Sequence, residues 1–277
     1  MRIASVGHAF FALVMVALGI LGLTSGTFGQ LWQPVPKWVP AQHALAYLCA
    51  LIALGSGLGL LWRRTAPTAS RMLFASLTVW LLVMRVPNLF YEKPLVLVAW
   101  SFGSTAVMAA GAWVLYIWFG GDERGLRFAR ALFGLSLIPF GLAHFMYLDA
   151  TMVLIPAWLP GHVAWAYFTG AAFIAAGLAN ITGVLGRLAA SLTTLQIGLF
   201  GLIIWIPRVL TGNLTEFQRG EAISNFVLMA GAWMIAESYR RPSSIVSEPF
   251  GVAGEQLPPA LDLHGVRPDH AAERSAG

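Results

Sequence analysis

Apolar runs, each about as long as a helix needs to cross a lipid bilayer, follow one another along most of this chain. They lie at roughly 4–24, 41–62, 72–90, 95–119, 129–148, 161–184, 188–207 and 221–239. Hydrocarbon offers no partner to a bare peptide group, so segments of this kind cross as helices that satisfy their own backbone. Charge is correspondingly scarce: 10% of the 277 residues are Asp, Glu, Lys or Arg and 58% are apolar, where a soluble domain carries about 25% charged residues. The expected fold is an all-α integral membrane protein with eight transmembrane helices, and its first partner is the lipid bilayer. Pro87 and Pro207, near the ends of the third and seventh runs, should mark helix ends or kinks. The single cysteine, Cys49, excludes a disulfide framework, a Cys-x-x-Cys pair and a thiolate metal cluster.

Basic residues set the orientation, because short cytoplasmic loops accumulate Lys and Arg. With the N-terminus inside, the cytoplasmic segments hold ten: Arg2, Arg63, Arg64, Arg71, Arg124, Arg127, Arg130, Arg187, Arg240 and Arg241. The opposite side holds five: Lys37, Arg85, Lys93, Arg208 and Arg219. Both termini are therefore expected in the cytoplasm, in a cell membrane of the bacterial inner type. The net charge of +5 is scattered between apolar runs, which reads as orientation and excludes nucleic acid as a partner. Residues 240–277 turn to Pro, Gly and charge and are expected to form a disordered cytoplasmic tail.

Sliding the chain over itself by 120 residues pairs Pro36, Trp38 and Pro40 with Pro156, Trp158 and Pro160, and Ala46-Tyr47 with Ala166-Tyr167. The same offset pairs Gly57-Leu58 with Gly177-Leu178, Pro87 with Pro207, and Ala110-Gly111-Ala112-Trp113 with Ala230-Gly231-Ala232-Trp233. Between 31–113 and 151–233, 17 of 83 positions are identical, concentrated on Pro, Trp and Gly. This is the signature of a duplication. It divides the chain into a diverged four-helix unit over 1–119, a second over 120–239 and the tail. Because each unit has an even number of helices, the tandem repeat is parallel, with a pseudo-two-fold axis along the membrane normal. The first run, which follows Arg2 and ends near Thr24-Ser25-Gly26 like a secretory leader, matches the internal fifth run and is expected to be a retained helix.

The second unit carries Gly141-Leu142-Ala143-His144-Phe145, then Pro156-Ala157-Trp158-Leu159-Pro160, then Tyr167-Phe168-Thr169-Gly170 leading to Ala176-Gly177-Leu178. With these motifs it resembles the DoxX family of four-helix membrane proteins over roughly 127–235, and the first unit resembles a diverged copy lacking the His-Phe pair, with Thr24 and Ser25 in its place. The resemblance implies links to respiratory sulfur and quinol oxidation and to membrane redox partner proteins. Many such sequences place an acid in the second helix. Here Phe173 and Ala53 stand at the corresponding positions, against a function that needs that carboxylate.

Four residues of the second unit form the expected ligand site: His144, Trp158, His162 and Arg208, with Trp38, His43 and Arg85 as counterparts in the first. Proline-bounded Trp loops sit at headgroup level. An arginine at membrane depth must find water, an acid or a ligand oxygen, with Glu92 the expected partner for Arg85 and Glu216 or Glu221 for Arg208. Asn180 is expected to donate between helices, and Gly55, Gly57, Gly59, Gly170 and Gly177 to admit close helix contact. No nucleophile motif, phosphate loop or dense metal-ligand spacing appears, so neither a catalytic residue nor a metal is assigned. The expected function is to bind a small apolar or amphipathic molecule such as a lipid or quinone, or to serve as an accessory subunit of a membrane redox complex. The rival is a small-molecule transporter with a path between the two repeats.

Overall fold

The computed structural model of the chain describes residues 5–212 and 214–240. Arg2 and the expected tail from Arg241 onward lie outside the described residues. Seven helices are long and apolar enough to cross a membrane: α1 (Val6–Ser25), α2 (Gln42–Leu60), α3 (Ala66–Tyr91), α4 (Leu95–Trp118), α5 (Gly125–Met146), α6 (His162–Thr182) and α7 (Gly186–Thr211). The chain is thus an all-helical, multi-pass membrane protein over its described residues. The last run of the sequence forms α8 (Glu216–Ser238), a helix of 23 residues that is less apolar, carrying Ser224, Asn225 and Glu237 among others.

Local chemistry explains the helix ends. The Ser5 hydroxyl caps α1 by accepting from His8 N at 3.0 Å, and Gly26 ends it in the left-handed region at φ 65°, where a side chain would be strained. Thr215 and Gln218 form a reciprocal capping box at the start of α8. The two prolines act as kinks without ending their helices. Proline removes an N–H and its ring collides with the carbonyl four residues back. A widened π turn precedes each, at Leu81–Arg85 in α3 and Gly201–Trp205 in α7. Val86 N accordingly donates five residues back, to Leu81 O at 2.9 Å.

Element boundaries recur at the interval seen in the sequence. The starts of α2 and α6 (Gln42, His162), the starts of α3 and α7 (Ala66, Gly186), both π turns, and the ends of α4 and α8 (Trp118, Ser238) are each 120 residues apart. Successive helices pack side by side from α1 to α8, α1 leans on α8, α5 leans on α4, and α4 crosses α8 in the middle. This encloses two lobes: lobe A from α1–α3 and lobe B from α5–α7, each closed by the shared α4/α8 pair. The segments 1–119 and 120–239 interlock, since each first helix packs on the fourth helix of the other.

Glycine makes the central crossing close. A Cβ on Gly111 would sit 3.2 Å from Gly231 Cα, and one on Gly231 would meet Val107 O at 2.8 Å. Gly57, Gly59, Gly170 and Gly177 are likewise pressed against neighbouring helices, while Gly55 faces open space. The polarity of α8 follows from its sheltered position. Asn225 Nδ2 donates to Ile197 O at 3.1 Å, and Glu237 accepts from Gly7 N at 3.1 Å and from the Ser5 hydroxyl. A helix ringed by protein does not need a fully lipid-matched surface. At the same end, the Arg130 guanidinium lies 3.8 Å over the Tyr239 ring. Tyr239 in turn donates to Asn180 Oδ1 at 3.2 Å, so Asn180 accepts between helices and uses its own donor on Ala176 O.

Candidate functional site: a cavity in lobe B

In lobe A the chain after α1 turns inward. Its short 3-10 turn, Gln30–Trp32, sends Leu31 and Trp32 into the lobe, where they are buried with Phe28 and Trp80. Trp32 packs edge-on against Trp80 with ring centroids 5.1 Å apart. Arg85 holds this plug. It is 2% exposed, with Nε donating to Thr105 Oγ1 at 3.1 Å, Nη1 to Pro34 O at 2.7 Å, and Nη2 to Leu31 O at 3.5 Å and to Gln33 O. A charge at this depth persists because several main-chain dipoles replace its water.

Lobe B has a cavity of about 470 Å³ in the corresponding place. The segment between α5 and α6, with its short helix Leu148–Leu154, covers the lobe without filling it; Thr151, Leu154 and Ile155 line the cavity from above. Its walls are mostly aromatic and aliphatic. Trp165, Phe168, Leu192, Leu195 and Leu199 both line it and are exposed on the outer surface of α6 and α7, as is Trp158 in the loop before α6, so the cavity opens sideways between those helices. Polar groups converge from four helices: His144 from α5, Thr169 from α6, Gln196 from α7, and Glu221, Ser224 and Asn225 from α8.

His144 is 8% exposed. Its Nδ1 lies 2.7 Å from Phe140 O; a carbonyl only accepts, so Nδ1 carries the proton and Nε2 of the neutral ring is left an acceptor. Phe173, Phe200 and Trp100 surround the ring at centroid distances of 5.5, 6.4 and 6.5 Å. Glu221 takes no hydrogen bond or ion pair from the described residues.

Of the four residues expected to form the site, His144 and Trp158 line the cavity. His162, the first residue of α6, and Arg208 do not. Arg208 Nη2 donates instead to Val153 O at 2.9 Å and Leu154 O at 3.4 Å, at the end of the covering helix. In the first unit, Arg85 is inside the plug, Trp38 is exposed, and His43 is an exposed residue with Nδ1 3.4 Å from Gly26 O. The three do not share a pocket. Arg85 hydrogen-bonds main-chain carbonyls and Thr105, with Glu92 acting on it only as a nearby charge; of the two acids expected for Arg208, Glu221 faces the cavity and the side chain of Glu216 lies outside the described residues. Glu221, which the sequence offers only as a partner for Arg208, and Asn225, Gln196 and Trp100, which it does not single out, also line the cavity. One signal for the first two was in view, since Glu221 and Asn225 interrupt the least apolar of the eight runs at a spacing of four, one helical face.

No group of three or more His, Cys, Asp or Glu side chains among the described residues is placed to hold a metal ion. Comparison with protein-family models, with curated proteins and with solved structures finds no match to this chain.

Proposed function

We propose that this is a duplicated eight-helix membrane protein, DoxX-like in its second unit, that binds a small apolar or amphipathic molecule in lobe B. The lobe B cavity carries the reading. Ligand sites are concave, of about 300–1,000 Å³, with apolar walls and a few convergent polar groups; the cavity has that size and lining and opens toward the lipid-facing surface of α6 and α7. A lipid or quinone that enters from the bilayer fits such an opening, and a membrane redox partner would then draw on or supply it. A path between the repeats is less well supported, since α4 and α8 meet at Gly111 and Gly231 without room between them.

Duplication is supported by the recurrence of element boundaries and π turns at 120 residues. Crossing by α8 as an eighth span is supported by its 23 residues, about 34 Å of helix, and by its contact with α1 where Gly7 meets Glu237. Both ends of the described chain then lie on one side, which the basic residues place in the cytoplasm. Single cysteines at Arg64 or Asp122 should react only with permeant reagents, and those at Lys37, Lys93 or Asp149 with impermeant ones; the reverse pattern would invert the topology.

Native mass spectrometry of protein extracted in mild detergent tests the binding reading. Wild type should retain a small lipid-soluble molecule that Ala172→Phe, which fills the cavity wall, loses while remaining folded. Equal retention by both proteins would put the ligand elsewhere.

A further inference from the structure

We infer that the lobe B cavity selects an apolar molecule bearing a positively charged, hydrogen-bond-donating head, that is, a hydrophobic amine in its ammonium form. This rests on the binding reading above and narrows it. Among the described lining residues Glu221 is the only acidic side chain, and none is Lys or Arg. Arg208 of α7, which the sequence offers as a partner for Glu221, is turned to the carbonyls of Val153 and Leu154 in the covering segment.

The neutral polar groups are arranged in the same sense. Thr151 Oγ1 donates to Tyr147 O at 3.1 Å, Thr169 Oγ1 to Trp165 O at 2.9 Å, Gln196 Nε2 to Thr169 O at 3.3 Å and Asn225 Nδ2 to Ile197 O at 3.1 Å. His144 Nδ1 donates to Phe140 O. Each of these five donors is directed at main chain. The groups keep acceptor capacity in their hydroxyl lone pairs, amide oxygens and His144 Nε2, beside the second N–H of each amide, the Ser224 hydroxyl and the indole N–H groups of Trp100, Trp158, Trp165 and Trp205. An acidic or carbonyl head would bring further acceptors beside a carboxylate with no cation to separate them. An ammonium brings three donors and the charge that offsets the cost of keeping Glu221 ionised out of water. The aromatic faces of Trp100 and Phe173 beside His144 add the surface on which cations are stabilised.

Three probes of one shape and different heads test this: 1-aminoadamantane, 1-adamantanol and adamantane-1-carboxylate, titrated against the full chain in lipid nanodiscs and read by native mass spectrometry and by the shift in Tm. The amine should bind wild type about tenfold or more tighter than the carboxylate, with the alcohol between them. Glu221→Gln should lower amine affinity about tenfold while moving the alcohol by less than about threefold. Ala172→Phe should weaken all three together. Equal affinity for amine and carboxylate in wild type, a comparison that needs no variant, overturns the head-group assignment. So does a Glu221→Gln protein that holds the amine unchanged. If Ala172→Phe still blocks the probes in either case, the cavity remains a binding site of different selectivity. If no probe binds wild type, or Ala172→Phe changes nothing, the binding reading falls and the head-group assignment with it.

Discussion

Lobes A and B are built from helices in the same order, yet one is plugged and the other hollow. Each lobe ties the segment over its mouth with an arginine from its third helix, and the carbonyls bound are 120 residues apart: Gln33 and Pro34 by Arg85, Val153 and Leu154 by Arg208. The arginines themselves are not. Position 205, which answers to Arg85, is Trp205, and the arginine of lobe B comes three residues later, nearly one helical turn further along. From position 85 the guanidinium reaches the carbonyls from inside the lobe and pulls Leu31 and Trp32 down. From position 208 it reaches them from the rim, where it is only partly buried, so the segment stays above and Trp205 becomes cavity wall. Moving one cation by less than a turn thus separates a filled lobe from a hollow one. The lesson is that two lobes of matching helix order can differ through the reach of one side chain.

The comparison makes Arg85 the most sensitive point of the molecule. Arg85→Ala should destabilise the protein by about 3–5 kcal/mol, since it strands several buried carbonyls and opens a void; thermal unfolding in detergent measures this, and a loss no larger than that of Arg208→Ala would break the distinction between the lobes. Gly231→Leu strikes the crossing that both lobes share. It should cost about 1–3 kcal/mol through overpacking against Val107 and should lower ligand retention in lobe B as well, whereas unfolding that leaves retention intact would mean the lobes are independent.

Arg208→Ala should cost less than about 1 kcal/mol, as its two hydrogen bonds are near the surface. Its effect belongs to kinetics. Ligand should leave faster than from Arg219→Ala, an arginine of the same charge that does not touch the covering segment, and equal dissociation rates would return Arg208 to an anchoring role. The smallest contrast concerns the loop tryptophans, whose exposures, 71% for Trp38 and 70% for Trp158, hardly differ. Trp158→Ala should weaken ligand binding a few-fold and Trp38→Ala not at all, because Trp158 lines the lobe B cavity and Trp38 does not.

His144 was legible in the sequence as a polar residue where a helix should be apolar, and Trp158 as a ring held at headgroup level between prolines. Arg208 was legible as an arginine near a membrane end but not in its partner, because the Val153 and Leu154 carbonyls that receive it are main chain and leave no mark on residue type. Glu221 was legible only as a partner for Arg208 and Asn225 not at all, for a related reason. A polar interruption in a run reads as weakness in a span until the neighbours that shelter it are known.

What the amino-acid sequence determined by itself was the response to lipid: the number and length of apolar runs, the side that collects arginine, the positions of the kinking prolines and the 120-residue offset. These follow from hydrophobic length, charge and backbone chemistry, which act residue by residue. Tertiary structure alone decided that α8 lies in the middle, that α1 leans on α8 and α5 on α4, that one lobe is filled, and that a carboxylate lines the other. Each of those depends on which side chain meets which carbonyl across helices far apart in the chain, and the reach of Arg85 against that of Arg208 is set by a π turn and a three-residue displacement whose meaning appears only when the segment 26–34 and the helix Leu148–Leu154 are in place.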